Sequence, residues 1–338
     1  MNIFAKTGKT ITKTMLAACL GFLTFNANAQ QNDNVVFLLD WLPGGEFAAY
    51  YAGVSKGFFE EQGINLQINR GFGGGDTVNK VATNSAQFGF ADMSAALSGA
   101  SKTGVPIRII SSMYTHSPHS IFVLESSGIT SISELAGKRV GITPGNSHGL
   151  YFPTVAQAAN LNPESVQWVN VDGAVMYSLL YSKELDAIPL FALHEYHINK
   201  TANEYGESIR VLPYVDEGFL IYAPVIVTNE RTAQENPDLV RRFLAGMWKS
   251  IQWAHENPQE ACALHVQQNP EVKLDSCIGT LQAADQYVFN DFSRQVGLGQ
   301  FEEGRLQATW QEVVKAQQLD PQWDYRQIIN TSFLPQNQ

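Results

Sequence analysis

Positive charge is scarce in this sequence, and so are charged residues of either sign. Of the 338 residues, 22 are Lys or Arg and 32 are Asp or Glu, which gives a formal net charge of −10. Because nucleic acids and anionic membranes are bound through basic faces, this balance argues against both as partners. Charged residues amount to only 16% of the chain and aromatic residues to 11%, a composition that excludes a largely disordered protein.

Long hydrophobic runs are also lacking. The apolar run at residues 15–25 has about a dozen residues, whereas a spanning helix needs about 20. It follows Lys6, Lys9 and Lys13 and precedes the small-x-small site Ala27-Asn28-Ala29, which is typical of a cleaved signal peptide over residues 1–29. Removing 29 of 338 residues leaves 309, and removing three lysines leaves 19 basic against 32 acidic groups, about −13. We therefore expect a periplasmic protein.

Cysteine is rare, and its positions limit the available chemistry. Cys19 lies in Leu16-Ala17-Ala18-Cys19, which imitates a lipoprotein box, but no apolar stretch precedes it, so we place it in the removed leader. Cys262 and Cys277 have no histidine at a spacing that suits zinc. In an oxidising compartment we expect them to form one local disulfide, the alternative being two buried thiols.

Short apolar runs alternate with helical patterns from Asn34 onward. Residues 35–39 read as a buried strand, and the next apolar residues recur at helical spacing. This rhythm predicts an α/β protein with open, largely parallel sheets. A glycine-rich turn ends in Asp76, a candidate N-cap. Beyond Pro237 a long helix should bury one face, made of Val240, Phe243, Leu244, Met247, Ile251 and Ala254.

The rhythm breaks near residue 117 and restarts, which indicates two lobes, as expected for a chain of this length. We assign residues 30–117 plus 222–338 to lobe 1 and residues 118–221 to lobe 2, with two extended crossings between them. Ligands of open α/β sheets bind outside the carboxyl ends of the strands. Two such lobes therefore predict a cleft that closes on a solute.

Loops that follow strands supply the candidate ligand contacts of lobe 1. Asp40 and Trp41 follow the first strand, where the indole can stack on a planar ligand or, alternatively, pack on its own lobe. Asp92 and Met93 follow another strand, and Asp92 can cap the helix that begins there. Tyr114 lies near the first crossing and could reach the ligand as the lobes close.

Lobe 2 offers a helix start and a strand end. Gly145, Asn146, Ser147 and His148 precede a helix, where free N–H groups favour an anion or the carbonyl oxygens of a polar ring, unless the turn is an ordinary cap. His148 could add a pH-sensitive donor. Phe191, His194 and Glu195 follow a strand and are further candidates, although His194 and Glu195 are alternatively only solvated. Tyr222, near the second crossing, is the last candidate.

Motifs that mark enzymes or metal sites do not fit. The run Gly71-Phe72-Gly73-Gly74-Gly75-Asp76 lacks the Lys-Ser/Thr ending of a P-loop, and His194 and His197 are three residues apart, not four as in zinc proteases. Gly145-Asn146-Ser147-His148-Gly149 has the spacing of a Gly-x-Ser-x-Gly elbow, but nothing else in the sequence indicates a Ser-His-Asp triad. We expect no catalytic residues, no metal and no cofactor.

Several motifs occur together in a recognisable order. Leu39-Asp40-Trp41-Leu42-Pro43 is followed by Gly57-Phe58-Phe59, Phe88-Gly89-Phe90-Ala91-Asp92, Leu135-Ala136-Gly137-Lys138-Arg139-Val140-Gly141 and Leu185-Asp186-Ala187-Ile188. In this order and spacing they resemble ABC-importer solute-binding proteins of the thiamine-pyrimidine, sulfonate and nitrate group. The resemblance implies a type II periplasmic binding fold and an ABC permease of the inner membrane as partner.

The subgroup that the sequence resembles most contains thiamine-pyrimidine binders and a eukaryotic pyrimidine synthase. There the Asp-Trp-x-Pro element is followed by Asn and then His, whereas this chain has Gly44 and, at the His position, Phe47. In the synthase that His is consumed as substrate beside an iron-linked Cys cluster, and neither is present here. The departure argues against synthase chemistry, and we include Phe47 among the ligand contacts.

The sequence therefore predicts a monomeric periplasmic solute-binding protein that captures a small planar polar solute, such as a thiamine pyrimidine precursor. A sulfonate or other organic anion held at the helix start near Gly145 is the alternative ligand. A pyrimidine synthase-like enzyme on the same scaffold is the alternative from another class. A sensor that presents its closed form to a membrane receptor is a further alternative to transport.

Overall fold

The computed structural model describes residue 1, residues 32–144 and residues 146–336. The predicted signal peptide beyond Met1, with Cys19, and the predicted contact Gly145 lie outside the described residues. Within them, ten strands form two five-stranded sheets. The strands are β1 (Asp33–Leu38), β2 (Ile64–Asn69), β3 (Phe88–Ala91), β4 (Ile107–Ser112), β5 (His119–Leu124), β6 (Arg139–Ile142), β7 (Gln167–Asn170), β8 (Ala187–Phe191), β9 (Ile209–Pro213) and β10 (Val225–Asn229).

Helices connect and flank these strands, and no helix of the described ranges is long and apolar enough to cross a membrane. The α-helices of this part of the chain are α1 (Ala48–Ser55), α2 (Gly74–Ala82), α3 (Met93–Thr103), α4 (Ser147–Ala158), α5 (Gly173–Tyr181), α6 (Glu195–Glu204), α7 (Glu230–Glu235), α8 (Pro237–Glu256), α9 (Pro258–Gln268), α10 (Leu274–Val288), α11 (Asp291–Val296) and α12 (Glu303–Gln317).

The two sheets share one topology. The first sheet has the order β2-β1-β3-β10-β4 and the second the order β7-β6-β8-β5-β9. In the first sheet β10, which follows the second crossing, lies between β3 and β4. In the second sheet β5, which follows the first crossing, lies between β8 and β9. The chain passes from the first sheet to the second between β4 and β5 and returns between β9 and β10. The expected arrangement of two α/β halves with two crossings is therefore confirmed.

Each sheet is largely parallel, as expected, but it is mixed, because one of its five strands runs against the other four. β1 pairs in parallel with β2 and β3, but β10 is antiparallel to both β3 and β4. The second sheet repeats this, with β5 antiparallel to β8 and β9. The inserted strand enters from the other half of the molecule and so runs against its neighbours. Local apolar patterns carry no information on that direction.

The long helix α8 packs against the first sheet with the predicted face. All six predicted residues of that face are buried, and the ring of Phe243 stacks on Phe88 with 3.8 Å between centroids. The helix begins at Pro237, where Asn236 caps it by accepting a hydrogen bond from the backbone N–H of Leu239. The predicted helical period therefore gave both the element and its buried side.

The expected Asp76 cap was wrong, since α2 begins two residues earlier. Gly73 stands at the N-cap with φ of 102°, a backbone conformation that residues with a side chain rarely adopt. Its N–H donates to the carbonyl of Asp40 over 2.7 Å, which ties the turn to the end of β1. Asp76 lies in the first helical turn and instead accepts a hydrogen bond from the N–H of Phe72.

A disulfide joins Cys262 of α9 to Cys277 of α10, as predicted, and both residues are fully buried. Helix α10 packs in turn against the 3-10 turn Gly45–Phe47. A Cβ added to Gly45 would lie 2.8 Å from the Cα of Cys277, so only glycine allows the approach. The disulfide therefore anchors the helix that supports the turn carrying Glu46 and Phe47.

Candidate functional site

A cavity lies between the two sheets, with about 560 Å³ of space free of atoms, including the part open to solvent. Residues from both halves of the molecule line it. They are Asp40, Trp41, Glu46, Phe47, Gly73, Gly74, Phe90, Asp92, Tyr114, Asn146, Ser147, His148, Leu190, Phe191 and His194.

The βα units bring these residues together. Asp40 follows β1, Asp92 follows β3, and Phe191 ends β8, so each lies at the carboxyl end of a strand. Gly74 and Ser147 are the first residues of α2 and α4. Parallel strands that continue into helices place strand ends and helix starts at the same edge of a sheet. The two sheets present those edges to each other across the cavity.

Ten of the predicted contact residues line the cavity, and their contact with a ligand stays a prediction. They are Asp40, Trp41, Phe47, Asp92, Tyr114, Asn146, Ser147, His148, Phe191 and His194.

Three predicted residues lie elsewhere. Met93 is fully buried in the core beneath α3, since it follows Asp92 and turns inward with the helix. Glu195 is exposed at the start of α6, one residue beyond the turn that reaches the cavity. Tyr222 is buried against Phe301, and its hydroxyl accepts a hydrogen bond from the backbone of Glu302.

Five lining residues were not predicted. Glu46 adjoins the predicted Phe47, and Phe90 lies two residues before the predicted Asp92. An acidic residue in the turn after Asp-Trp-x-Pro was a signal for Glu46. Gly73 and Gly74 belong to a glycine-rich turn whose sequence indicates turn geometry alone. That interpretation stands, but the same turn also forms part of the cavity surface. Leu190 lies in an apolar strand, and nothing in the sequence distinguishes it from the core.

Trp41 contacts both halves of the molecule. It follows β1 of the first sheet, yet its indole lies against Gly173 at the start of α5, beside the second sheet. A Cβ added to Gly173 would be 2.6 Å from Cζ2 of the indole, so the contact needs glycine. Trp41 packs on the apolar clusters of both halves, which places the indole at the boundary between them.

The carboxyl groups of the cavity are difficult to ionise. Burial raises the pKa of Asp40 to about 8, with a further contribution from the charge of Asp92. Burial likewise raises the pKa of Glu46 to about 8. The pKa of Asp92 is also raised by burial, although Ser94 opposes this through hydrogen bonds from its N–H, at 2.8 Å, and its hydroxyl. Near neutral pH, Asp40 and Glu46 are therefore mainly protonated and can donate hydrogen bonds.

The histidines of the cavity are neutral for the same reason. Burial lowers the pKa of His194 to about 3 and that of His148 well below its ordinary value. The expected pH-sensitive role of His148 near neutrality is therefore wrong, since it carries no charge there. Asn146 caps α4 by accepting a hydrogen bond from the N–H of His148 over 2.9 Å. Asn146 is thus both a cap and a lining residue.

Buried polar contacts link the two halves beside the cavity. Nε2 of His119, in β5, lies 2.8 Å from the hydroxyl of Ser147 and 3.4 Å from Oδ2 of Asp92. Across the cavity, Nε2 of His194 lies 3.6 Å from Oε1 of Glu46. The contact of His119 with Asp92 and that of His194 with Glu46 each pair a carboxyl group of the first half with a histidine of the second. Both form only in the arrangement in which the halves meet.

The cluster around His119 does not have the geometry of a hydrolase triad. Ser147 and Asp92 approach the same ring nitrogen, whereas a triad places the acid and the nucleophile at opposite nitrogens. The other nitrogen contacts the hydroxyl of Ser117. No group of three metal-ligating side chains that could hold an ion occurs in the described residues.

Four lining residues have a buried polar atom without a well-placed hydrogen-bond partner. These atoms are Nε1 of Trp41, Oε2 of Glu46, Oδ2 of Asp92 and Nε2 of His148. Leaving such a group unpaired costs about 1–3 kcal/mol, so unpaired groups concentrated in one cavity call for an explanation. A polar ligand that pairs with them would provide one. No Lys or Arg is among the lining residues.

A family model described as NMT1/THI5 like matches residues 45–261, which is more than half of the chain. The chain belongs to this family, and the resemblance inferred from its sequence is confirmed.

Relatives of the chain include binding proteins and enzymes. The riboflavin-binding protein RibY of Chloroflexus aurantiacus is 25% identical over 91% of this chain and 88% of its own length. The 4-amino-5-hydroxymethyl-2-methylpyrimidine phosphate synthase THI5 of Saccharomyces cerevisiae is 20% identical over 79% and 82%.

The fold has a counterpart among solved structures. The CA3427 gene product of Candida albicans, described as having the generic periplasmic binding protein structural fold, superposes with a TM-score of 0.66 at 13% identity, covering 90% of this chain and 99% of that one. This likeness confirms the expected fold.

Proposed function

We propose that this protein is the periplasmic solute-binding component of an ABC importer and captures a small planar heterocycle between its two halves. The observation that carries the proposal is the cavity between the sheets, in which residues of both halves present buried polar atoms without well-placed partners. A ligand that pairs with both sides favours the closed arrangement over the open one, and only such differential affinity shifts the population. The name of the riboflavin-binding relative supports this class of function.

The chemistry of the cavity suits a ring with adjacent donors and acceptors. Trp41 and Phe191 offer aromatic surface on opposite sides of the molecular boundary. Protonated Asp40 and Glu46 can each donate one hydrogen bond and accept another, which matches a ring nitrogen beside an amino or carbonyl group. Neutral histidines add further acceptors or donors. The proposed ligand is therefore uncharged or weakly basic.

A sulfonate or other strongly anionic ligand fits less well. The cavity contains three carboxyl groups and no basic side chain, so an anion would have only helix N-termini and neutral donors as partners. Ionising any of the carboxyl groups would then repel it. The lining of the cavity therefore favours the heterocycle over the anion, in agreement with the preference that the sequence indicates.

We propose no enzymatic activity for this chain. Phe47 replaces the histidine that the resembling synthase consumes, and it is buried against Phe90 with 5.2 Å between ring centroids. A side chain so placed is part of the apolar core of the site. The synthases among the relatives indicate that the scaffold supports chemistry, so turnover is included in the tests.

Domain boundaries and partners complete the proposal. Residues 30–117 with 222–338 and residues 118–221 would form the two lobes that close on the ligand. A permease of the inner membrane would recognise the closed form, and the mature protein would act as a monomer after removal of residues 1–29.

Ligand capture can be tested on the mature chain even while the identity of the ligand is open. Native mass spectrometry of the purified protein, before and after denaturing extraction, should detect one small heterocycle that co-purifies. A thermal-shift screen of polar heterocycles, amines and sulfonates should then raise the melting temperature with that compound. A chain that carries nothing and responds to no compound in the screen would refute the proposal.

Trp41→Ala separates the two ligand classes. The substitution should weaken binding of a ligand with a stacked ring at least tenfold. It removes about 1 kcal/mol or more of aromatic contact, together with the contribution of the buried apolar area. Binding of an aliphatic sulfonate should change little. Trp168→Ala, in β7 and outside the cavity, is the matched tryptophan control. Sulfonate binding that resists Trp41→Ala would favour the anion instead.

A further inference from the structure

A second cavity adjoins the first and shares part of its surface. It has about 710 Å³ of space free of atoms, again including the part open to solvent. Trp41, Glu46 and His194 line both cavities, so these three side chains form the partition between them. The far side of the second cavity is formed by α10 and the segment that precedes it, with Ser276 and Thr280.

The partition is polar on both faces. Oε1 of Glu46 approaches His194, while Oε2 has no partner and lies in the space that a Cβ on Gly44 would need. Gly44 lines the second cavity but not the first. The second oxygen of Glu46 thus lies beside a residue that lines only the second cavity. The side chain of Glu46 is only 4% exposed, so the free oxygen lacks the compensation that bulk water would give.

The far side of the second cavity also carries polar atoms without partners. The hydroxyl of Ser276 is buried and unpaired, and Nδ1 of His197 is unpaired as well. Ser276 is 5% exposed, so this is an interior position. Unpaired hydroxyl, imidazole and carboxyl groups around one space are suited to a partner with several hydroxyl groups, each of which both donates and accepts.

The charged residues around the second cavity indicate whether it suits a hydroxylated or a phosphorylated group of a ligand. Lys273 and Glu271 both line the second cavity and are exposed, and Lys273 is paired with Glu204 at 3.4 Å. One paired cation beside an acidic neighbour gives no excess positive charge for a phosphate. The space therefore favours an uncharged polar group.

We propose that the second cavity is a compartment of the same ligand site and receives a hydroxyl-bearing chain attached to the ring held in the first. The inference rests on the proposed function and adds the substrate class: a planar heterocycle with an uncharged polyol or sugar substituent. Trp41 would lie beside the junction of ring and chain, and the free oxygen of Glu46 would accept from or donate to the first hydroxyl group.

The test compares heterocycles that differ only in the chain. Calorimetry with lumichrome and riboflavin, uracil and uridine, and adenine and adenosine measures the contribution of the substituent for three ring sizes. The chain-bearing member of at least one pair should bind at least tenfold more tightly than its bare ring. Equal affinity within every pair that binds would overturn the inference while leaving the proposed function intact. Absence of binding by all six compounds and of a co-purified heterocycle would overturn both.

Two variants of one residue locate the effect. Ser276→Trp would fill the second cavity and should abolish the preference for the chain-bearing compound over its bare ring. Ser276→Ala keeps the space and removes the hydroxyl, so it should weaken only the chain-bearing compound, by about threefold to tenfold. Because alanine is a small change, this variant keeps the test informative if the tryptophan variant does not fold.

A passage for ligand entry is the main competing role of the second cavity. In that case Ser276→Trp would slow association and dissociation equally, and the equilibrium affinities of both members of a pair would stay unchanged. Stopped-flow measurement of both rates distinguishes the outcomes. Unchanged affinities with slower rates would refute the proposed compartment.

Discussion

The indole of Trp41 and the backbone of Gly173 form a contact between the two halves of the molecule that no larger residue at position 173 would permit. Trp41 follows the first strand, whereas Gly173 begins α5 beside the second sheet. The separation of 2.6 Å between Cζ2 and the Cβ that position 173 lacks leaves no room for a methyl group. This contact lies where the halves meet and should control how far they approach.

Gly173→Ala should weaken ligand binding by obstructing closure. Forcing one methyl group into a packed contact costs about 1–3 kcal/mol, which corresponds to about a fivefold to hundredfold rise in Kd for the co-purified ligand. Calorimetry measures the affinity, and small-angle scattering should show a larger radius for the variant than for the wild type with ligand present.

The control for this prediction is Gly75→Ala. Gly75 lies in α2 next to the cavity, and an added Cβ there meets nothing within 4 Å. It should leave Kd unchanged and raise stability slightly, since alanine favours helix over glycine. An unaffected Kd in Gly173→Ala would mean that the contact does not limit closure.

The buried carboxyl groups should make the ligand-free protein less stable as the pH rises from 6.5 to 8. With pKa values of about 8, Asp40 and Glu46 retain protons in the folded chain that they lose in the unfolded chain. The stability they contribute is complete below the unfolded pKa values near 4 and is lost as the pH rises through about 8. Each group changes the free energy of unfolding by at most about 1.4 kcal/mol per pH unit.

The buried histidines act in the opposite direction at lower pH. His119 and His194 have pKa values lowered to about 3, so only the unfolded chain binds their protons between that value and about 6.5. Their contribution is present above pH 6.5 and lost on acidification, and it opposes the carboxyl contribution from about pH 4 to 6.5. Chemical denaturation should therefore show a broad maximum in that range.

Glu46→Gln provides the matched comparison for the alkaline side. The variant cannot ionise at position 46, so its free energy of unfolding should decline less between pH 6.5 and 8 than that of the wild type. Other titrating groups are common to both proteins and cancel in the difference. Parallel declines in the two proteins would show that Glu46 keeps an ordinary pKa.

Much of this architecture followed from the sequence, because the βα rhythm and the apolar face of α8 are local patterns with a physical period. Asp40 and Trp41 were found because a residue directly after a buried strand lies at the sheet edge. The direction of β5 and β10 could not be derived, since pairing depends on which half of the molecule a strand comes from. Mixed sheets were therefore missed.

The unpredicted parts of the site depend on contacts distant in the sequence. Gly173 is unremarkable until Trp41 is placed against it, and the role of Glu46 emerges only when His194 arrives from the other half. The hydroxyl of Tyr222 is directed to Glu302, 80 residues away, so its proximity to a crossing was a poor guide. Burial also reversed the expected behaviour of His148.

Removal of the disulfide should reduce stability and also affect the site. A closed loop of about 15 residues contributes up to about 3 kcal/mol when unstrained. A Cys262→Ser, Cys277→Ser double variant should therefore unfold at a lower denaturant concentration. Its free energy of unfolding should be lower than that of the wild type by about that amount. The wild type treated with reductant should approach the variant, which should itself be insensitive to reductant. Because Gly45 packs on the backbone of Cys277, ligand affinity should fall as well. Stability that is the same in both proteins would show that the bridge contributes nothing.

Gly44→Asn would restore the residue that the thiamine-pyrimidine subgroup has after Asp-Trp-x-Pro, and the structure shows which side chain it would displace. The carboxyl group of Glu46 lies in the space that a Cβ at position 44 would need. The substitution should displace that carboxyl group from His194 and weaken binding of the co-purified ligand at least tenfold. Gly44→Asn combined with Glu46→Ala frees the space and should fold as well as Glu46→Ala alone. If Gly44→Asn has no effect by itself but the double variant is impaired, the two positions are not coupled in this way.

Adding Phe47→His to Gly44→Asn should yield no turnover of pyridoxal phosphate with iron, because the residue at position 47 is buried among aromatic rings. Detection of a pyrimidine product in that variant would show that the scaffold is a few substitutions away from synthase chemistry.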